Sequence, residues 1–149
     1  MTTSKAGREF IMKVEGLRLK AYRDLAGVWT IGYGHTKNVT GGQVITEDHA
    51  RLFFSDDIEP IEEFLNKHLF LHQHEFDALV SFMFNLGIGT FKKSTMFQFL
   101  KNGNFYNASQ EFQRWSKARI DGKLTVVQGL LDRRTAEEKI FKNGDYLNV

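Results

Sequence analysis

"VEGLRLKAYRDLAGVWTIGYGHT", residues 14–36, places a glutamate, an aspartate and a threonine in a window broken by Gly16, Gly27, Gly32 and Gly34. Ahead of it, Phe10, Ile11 and Val14 recur at helical spacing, and Thr2, Thr3 or Ser4 can cap the start. Gly16 is a plausible C-terminal stop, so helix one is expected to end at about Glu15. Beyond it, "LRLKAY", "GVWTIGYGH" and "GQVI" read as short strands, rich in β-branched and aromatic residues and divided by "DLAG" and "NVTGG" turns. A small antiparallel sheet is expected from about residue 17 to 45.

After Val44 and Ile45 the chain reads as helical throughout. Thr46 is a strong N-cap, with Glu47 and Asp48 facing the helix dipole. Ala50, Phe53, Phe54, Ile58, Ile61 and Leu65 mark a long helix, which Pro60 should kink or restart. "QHEFDALVSFMFNLG" is apolar nearly all round, the best candidate for a buried central helix, and stops at Gly87. Ser94 caps "TMFQFLK", and "FYNASQEFQRWSKA" carries Phe105, Ala108, Phe112 and Trp115 on one stripe. Asp121-Gly122 is a turn signal. A last helix is expected from about Val126 to Lys142. The class is α+β and mainly helical, with a small β lobe, a connecting helix and a helical lobe.

At 149 residues the chain fits one domain with a real core. A hydrophobic content of 42% and 14 Phe exclude a disordered protein. There is no cysteine, so neither disulfides nor thiolate chemistry can operate. "MTTSKAGREFIMK" lacks a signal-peptide apolar core, and no stretch approaches a membrane span. The reading is a chain made soluble in the cytoplasm; if its target lies outside the membrane, something else must deliver or release it. From Gln113 to Lys142 eight Lys/Arg stand against four acids. That imbalance suits an anionic partner such as a bacterial envelope, but its plainer reading is a set of solvated helix faces.

Several motifs are absent. "GYGHTK" and "GIGTFK" lack the third glycine of a dinucleotide fingerprint and the GK[ST] of a P-loop, and no GxSxG occurs. His68 and His72 are spaced as metal ligands can be, yet have no acid or cysteine between them, so a linker without metal is preferred. His35 reads as a structural hydrogen-bonding residue. No cofactor is expected.

Glycosidic cleavage needs a proton donor for the leaving oxygen and a carboxylate that activates water or stabilises an oxocarbenium-like centre. Glu15 ends a helix, where the negative pole of the dipole disfavours ionisation, and Val14 and Leu17 add desolvation. Asp24 lies in a polar turn and is expected to stay ionised. Thr30 offers a hydroxyl to hold water beside it. By itself this spacing is commonplace, and a solvated Asp24 turn is the default.

The segment "EGLRLKAYRDLAGVWTIGYGHT" resembles the active-site segment of phage-type lysozymes, the endolysin family of glycoside hydrolases. Glu15, Asp24 and Thr30 match its pattern of Glu, eight residues, Asp, five residues, Thr, with TIGxGH following. The similarity continues through "ITEDHA", "FDALVSFMFNLGIGTF", "KST" and "GLLDRRTAEEKIF", nearly the whole chain. It implies a lysozyme-like two-lobed fold in a single domain, residues 1–149, with a β lobe at about 16–45 and a helical lobe at about 68–149 plus the N-terminal helix. It implies a muramidase cutting between N-acetylmuramic acid and N-acetylglucosamine of peptidoglycan, with Glu15 as acid and Asp24 and Thr30 handling water. Thr36, Phe84, Asn85 and Ser94 are implied substrate contacts, and Arg133 is implied to orient Glu15. Phe84 reads equally as core and Ser94 as a cap. The implied protein is a monomer that uses neither metal nor nucleic acid. Without cysteine, the disulfide-dependent, membrane-tethered activation of some relatives cannot operate. Two alternatives stay open: a wall-binding module without activity, and a helical nucleic-acid binder resting only on C-terminal charge.

Overall fold

Ser4 opens the first helix as the sequence predicts: its hydroxyl accepts from the Gly7 backbone N–H at 3.0 Å. The computed structural model describes residues 1–146. Helix α1 spans Lys5–Glu15, strands β1 and β2 span Arg18–Arg23 and Trp29–Gly32, and α2 runs Glu47–His68. Helices α3 (Gln73–Leu86), α4 (Ile88–Lys92), α5 (Thr95–Lys101) and α6 (Phe105–Ser109) follow, then a 3₁₀ turn at Phe112–Trp115. Strands β3 (Lys117–Ile120) and β4 (Lys123–Val126) precede α7 (Gln128–Asn143). The fold is α+β and mainly helical. Among the described residues no helix is long and apolar enough to cross a membrane.

The chain divides into two compact units, Glu9–Pro60 and Met1–Arg8 with Ile61–Val149. In the first, β1 and β2 pair antiparallel, with Tyr22 opposite Thr30 and Arg23 opposite Trp29. Its core is Phe10, Ile11, Ile31, Tyr33, Ile45, Ala50, Phe54 and Ile58, all buried. The predicted third strand "GQVI" forms only a bridge, Lys20 to Val44, because Gly42 (φ 85°) turns the backbone out of strand conformation beside it. Thr46 caps α2, accepting from the His49 N–H at 3.2 Å.

Of the two outcomes expected at Pro60, a kink or a restart, the restart does not occur: the helix is continuous from Glu47 to His68. Proline removes one N–H, but Asp56, four residues earlier, is exposed, so water can take the carbonyl it frees.

In the second unit α3 is the buried helix that the sequence predicts, with Phe76, Leu79, Val80, Phe82 and Met83 at its centre. The Phe82 ring meets Phe91 at 6.2 Å, Phe112 at 5.2 Å and Trp115 at 6.2 Å, each edge to face. Gly87 ends α3 at φ 93°, and the Ser94 hydroxyl caps α5 by accepting from Phe97 N–H at 3.1 Å. Asp77 is buried and accepts from the Ser4 and Tyr146 hydroxyls and from Gln73, so it ties both ends of the chain to α3. Gly7 permits that approach, since a Cβ there would lie 2.5 Å from the Asp77 carboxyl carbon.

Two expectations fail in this unit. The stripe from Phe105 to Ala118 is not one helix: it breaks into α6, the 3₁₀ turn and the start of β3. The residues after it form a second hairpin, with Asp121 (φ 51°) and Gly122 (φ 78°) in the two-residue turn that Asp-Gly favours. The alternation around that turn outweighs helical spacing. The basic C-terminal stretch is also not solvated throughout. Arg133, Arg134 and Glu137 are buried, because α7 packs this face against α3 and the three charges satisfy one another.

Candidate active site

Glu15 is the last residue of α1 and is half-buried. The helix stops there because Gly16 adopts φ 76°, a conformation glycine takes without a Cβ penalty. The Gly16 N–H donates back to the Met12 carbonyl at 2.9 Å, and β1 begins two residues later.

Asp24 and Thr30 stand on either side of the β1–β2 turn and converge on one atom, the Val28 carbonyl oxygen. It accepts from the Asp24 backbone N–H at 2.9 Å and from the Thr30 hydroxyl at 2.9 Å. The Asp24 carboxylate folds over the turn: its Oδ1 accepts from the N–H groups of Ala26 and Val28, both at 2.9 Å. Oδ2 has no hydrogen-bond partner among the described residues, and Asp24 is exposed. One carboxylate oxygen therefore fixes the side chain while the other faces solvent. Because its proton is committed to Val28, the Thr30 hydroxyl presents lone pairs and can accept from a water molecule.

Thr36 is exposed and follows the antiparallel bridge between Ile31 and His35. His35 is buried, as a structural residue should be: its Nδ1 lies 2.8 Å from Asp57 Oδ2, and its ring stacks on Phe53 at 4.2 Å. Burial pushes the Asp57 carboxyl above its ordinary pKa, while the His35 hydrogen bond and charge pull it back only in part.

The remaining predicted residues lie in the other unit. Phe84 is half-buried near the end of α3. Asn85 is exposed and lines a cavity of about 440 Å³ with Leu86, Arg114, Trp115 and Lys117. Ser94 is buried, and its hydroxyl donates to Phe91 O at 2.6 Å while it caps α5 by accepting from the Phe97 N–H. Arg133 is buried rather than solvent-facing. Its Nε lies 3.2 Å from Glu137 Oε2, and one Nη donates to the Ser81 carbonyl at 3.0 Å.

Around Arg133 lies a charge cluster that sequence reasoning missed. Glu137 is fully buried and faces Arg134 Nε at 2.7 Å; Ser81 donates its hydroxyl to Glu137 at 2.5 Å. Burial pushes the Glu137 carboxyl up, with Arg134 and then Arg133 opposing. The "DRRTAEE" run held these residues, but nothing in it distinguishes a buried ion cluster from a surface i,i+4 ladder.

Residues 12–137 match the Phage lysozyme family. The chain is 43% identical to the endolysin of Acyrthosiphon pisum secondary endosymbiont phage 1, over 96% of this chain and 99% of that protein. It is 42% identical to the endolysin of Bacillus phage B103 over 100% of its own length, but spans only 57% of that relative. Among solved structures, the muramidase domain of SpmX from Asticaccaulis excentricus superposes with a TM-score of 0.89 and 38% identity, covering 95% of this chain and 98% of that one. These likenesses define a glycoside hydrolase with a lysozyme fold. The chain belongs to the phage lysozyme family.

Proposed function

We propose that this lysozyme degrades peptidoglycan by hydrolysing the β-1,4 bond between N-acetylmuramic acid and N-acetylglucosamine, with Glu15 as the acid and Asp24 and Thr30 handling the water. The observation that carries the reading is the shared Val28 carbonyl, which ties the Asp24 main chain to the Thr30 hydroxyl. A water donating one hydrogen to Thr30 Oγ1 and the other to Asp24 Oδ2 keeps its lone pair for the anomeric carbon. Glu15 transfers its proton to the glycosidic oxygen as the bond to the leaving sugar breaks. Asp24 accepts the proton that the water loses, so the overall change is addition of one water across one glycosidic bond.

Thr36, Phe84 and Asn85 contact the glycan in this reading, and Ser94 supports the site by capping α5. Arg133 orients Glu15, and its burial and anchoring to Glu137 and Ser81 suit a guanidinium with a fixed position. The protein acts as a single lysozyme-like domain and a monomer, without metal, cofactor or nucleic acid. It is made in the bacterial cytoplasm and reaches the wall through an export or holin-type release partner.

The test is clearing of a suspension of purified bacterial walls. Glu15→Gln keeps the side-chain shape and loses the transferable proton, so clearing is expected to fall by about 10²–10⁴-fold with the melting temperature retained. Activity within about tenfold of the unsubstituted protein refutes the assignment of Glu15. Wall binding without clearing by the unsubstituted protein would instead favour a non-catalytic wall-binding module.

A further inference from the structure

The Trp29 indole sits one residue from Thr30 and directly opposite Arg23, which is one residue from Asp24. Two groups hold its ring. The Arg23 guanidinium lies 4.8 Å from the ring centroid. Gly41 packs so closely that a Cβ there would lie 2.8 Å from Cζ2 and 3.0 Å from Cη2. Gly41 does not need glycine for its backbone, since it is not among the residues at positive φ. Its missing side chain is required only by the indole. The ring therefore has a defined seat, set by a cross-strand cation and a bare backbone.

That seat governs the turn. The Arg23–Trp29 pair is the last rung of the β1–β2 ladder before the Asp24–Val28 loop. The Val28 carbonyl that joins Asp24 to Thr30 belongs to the residue just before Trp29. A shift of Trp29 along β2 would move this carbonyl and, with it, both of its donors. The Asp24 carboxylate would follow, because Val28 N–H holds its Oδ1. We infer that Trp29, clamped by Arg23 and Gly41, is a positioning residue that sets the Asp24–Thr30 geometry. The inference rests on the roles proposed above for Asp24 and Thr30.

Gly41→Ala is the direct probe, because its methyl group pushes on the indole and its backbone is unstrained. It is expected to lower kcat on soluble peptidoglycan fragments by about 10–100-fold, the size of effect that a displacement near 1 Å can cause. KM should stay within about twofold, the signature of an interaction lost only in the transition state. Phenylalanine lacks the two ring atoms that the methyl group meets. Trp29→Phe combined with Gly41→Ala should therefore recover kcat to within about threefold of Trp29→Phe alone. A purely structural role predicts additive losses that track the melting temperature, with no recovery. Additive losses, or Gly41→Ala with unchanged kcat, overturn the inference. So does a fall in the folded fraction of Gly41→Ala that accounts for its lost activity without recovery in the double variant. Asp24→Asn separates the two levels of the argument. If it retains full kcat, the assignment of Asp24 fails and the inference falls with it. If it is inactive while Gly41→Ala is unaffected, the site stands and only the positioning role is refuted.

Discussion

Replacing Arg134 by alanine should destabilise the protein by about 3–5 kcal/mol, the cost of breaking a buried ion pair from one side. Arg134 and Glu137 are both 0% exposed, so water cannot take over the stranded carboxylate. Two contacts disappear, Nε to Oε1 at 2.7 Å and Nη2 to Oε2 at 3.1 Å. What remains is Arg133 Nε at 3.2 Å and the Ser81 hydroxyl, which keeps the loss from approaching that of an isolated buried ion. The guanidinium also lies 5.0 Å from the Phe82 ring centroid, a contact worth about 0.5–2 kcal/mol within that total. Urea melts give the free energy, and the expected fall in melting temperature is roughly 6–20 °C for a chain of this size. Glu137 adds a pH signature. Its carboxyl is already raised from the ordinary value of 4.5, with Arg134 the larger charge pulling it down. A raised group contributes stability that is fully present below the unfolded pKa and lost as pH rises through the folded one. Losing Arg134 pushes the folded value higher still, so the destabilisation should be largest at neutral pH and shrink on acidification towards about pH 4–5. A loss below about 1 kcal/mol, or one that does not shrink on acidification, refutes this account of the cluster.

Three further outcomes are expected. Arg133→Ala should lower wall-clearing activity and shift the acidic limb of the pH–rate profile, more than Arg134→Ala does at a temperature where both are folded; equal profiles would remove Arg133 from the acid's surroundings. Product analysis by NMR should show inverted anomeric configuration, because Thr30 beside Asp24 suits a water that attacks directly, and inverting enzymes separate their carboxyls by about 6.5–9.5 Å to admit it. Retained configuration would make Asp24 a nucleophile instead. Asp57 has a raised pKa, so its contribution is present below about pH 3.8 and lost as pH rises through the folded value. Asp57→Asn lacks this loss and should gain stability relative to the unsubstituted protein as pH rises above the ordinary value of 3.8. Denaturation curves showing the opposite trend would mean that His35, not burial, dominates the pair.

The elements that depend on nearest neighbours were legible in the chain. Ser4, Thr46 and Ser94 cap the helices expected of them, and Gly16 and Gly87 end theirs at positive φ, because capping needs only a hydroxyl or a missing Cβ at the right position. The apolar run of α3 foretold a buried helix, and the Glu15–Asp24–Thr30 window carried the family resemblance without any knowledge of its geometry. The β3–β4 hairpin was half-legible. Asp121-Gly122 announced its turn, but the aromatic stripe ending at Trp115 was extended too far because a helical period can run on by chance for several residues. Only the tertiary structure decided which charges leave water. Arg134 and Glu137 have the composition of a solvated helix face, and it is α3 with its Ser81 hydroxyl, more than fifty positions away, that turns them into a buried cluster. The same holds for the seat of Trp29. Gly41 and Arg23 are unremarkable letters in sequence, and their meaning comes from packing against one ring, since burial and contact are set by what a residue faces and not by what precedes it.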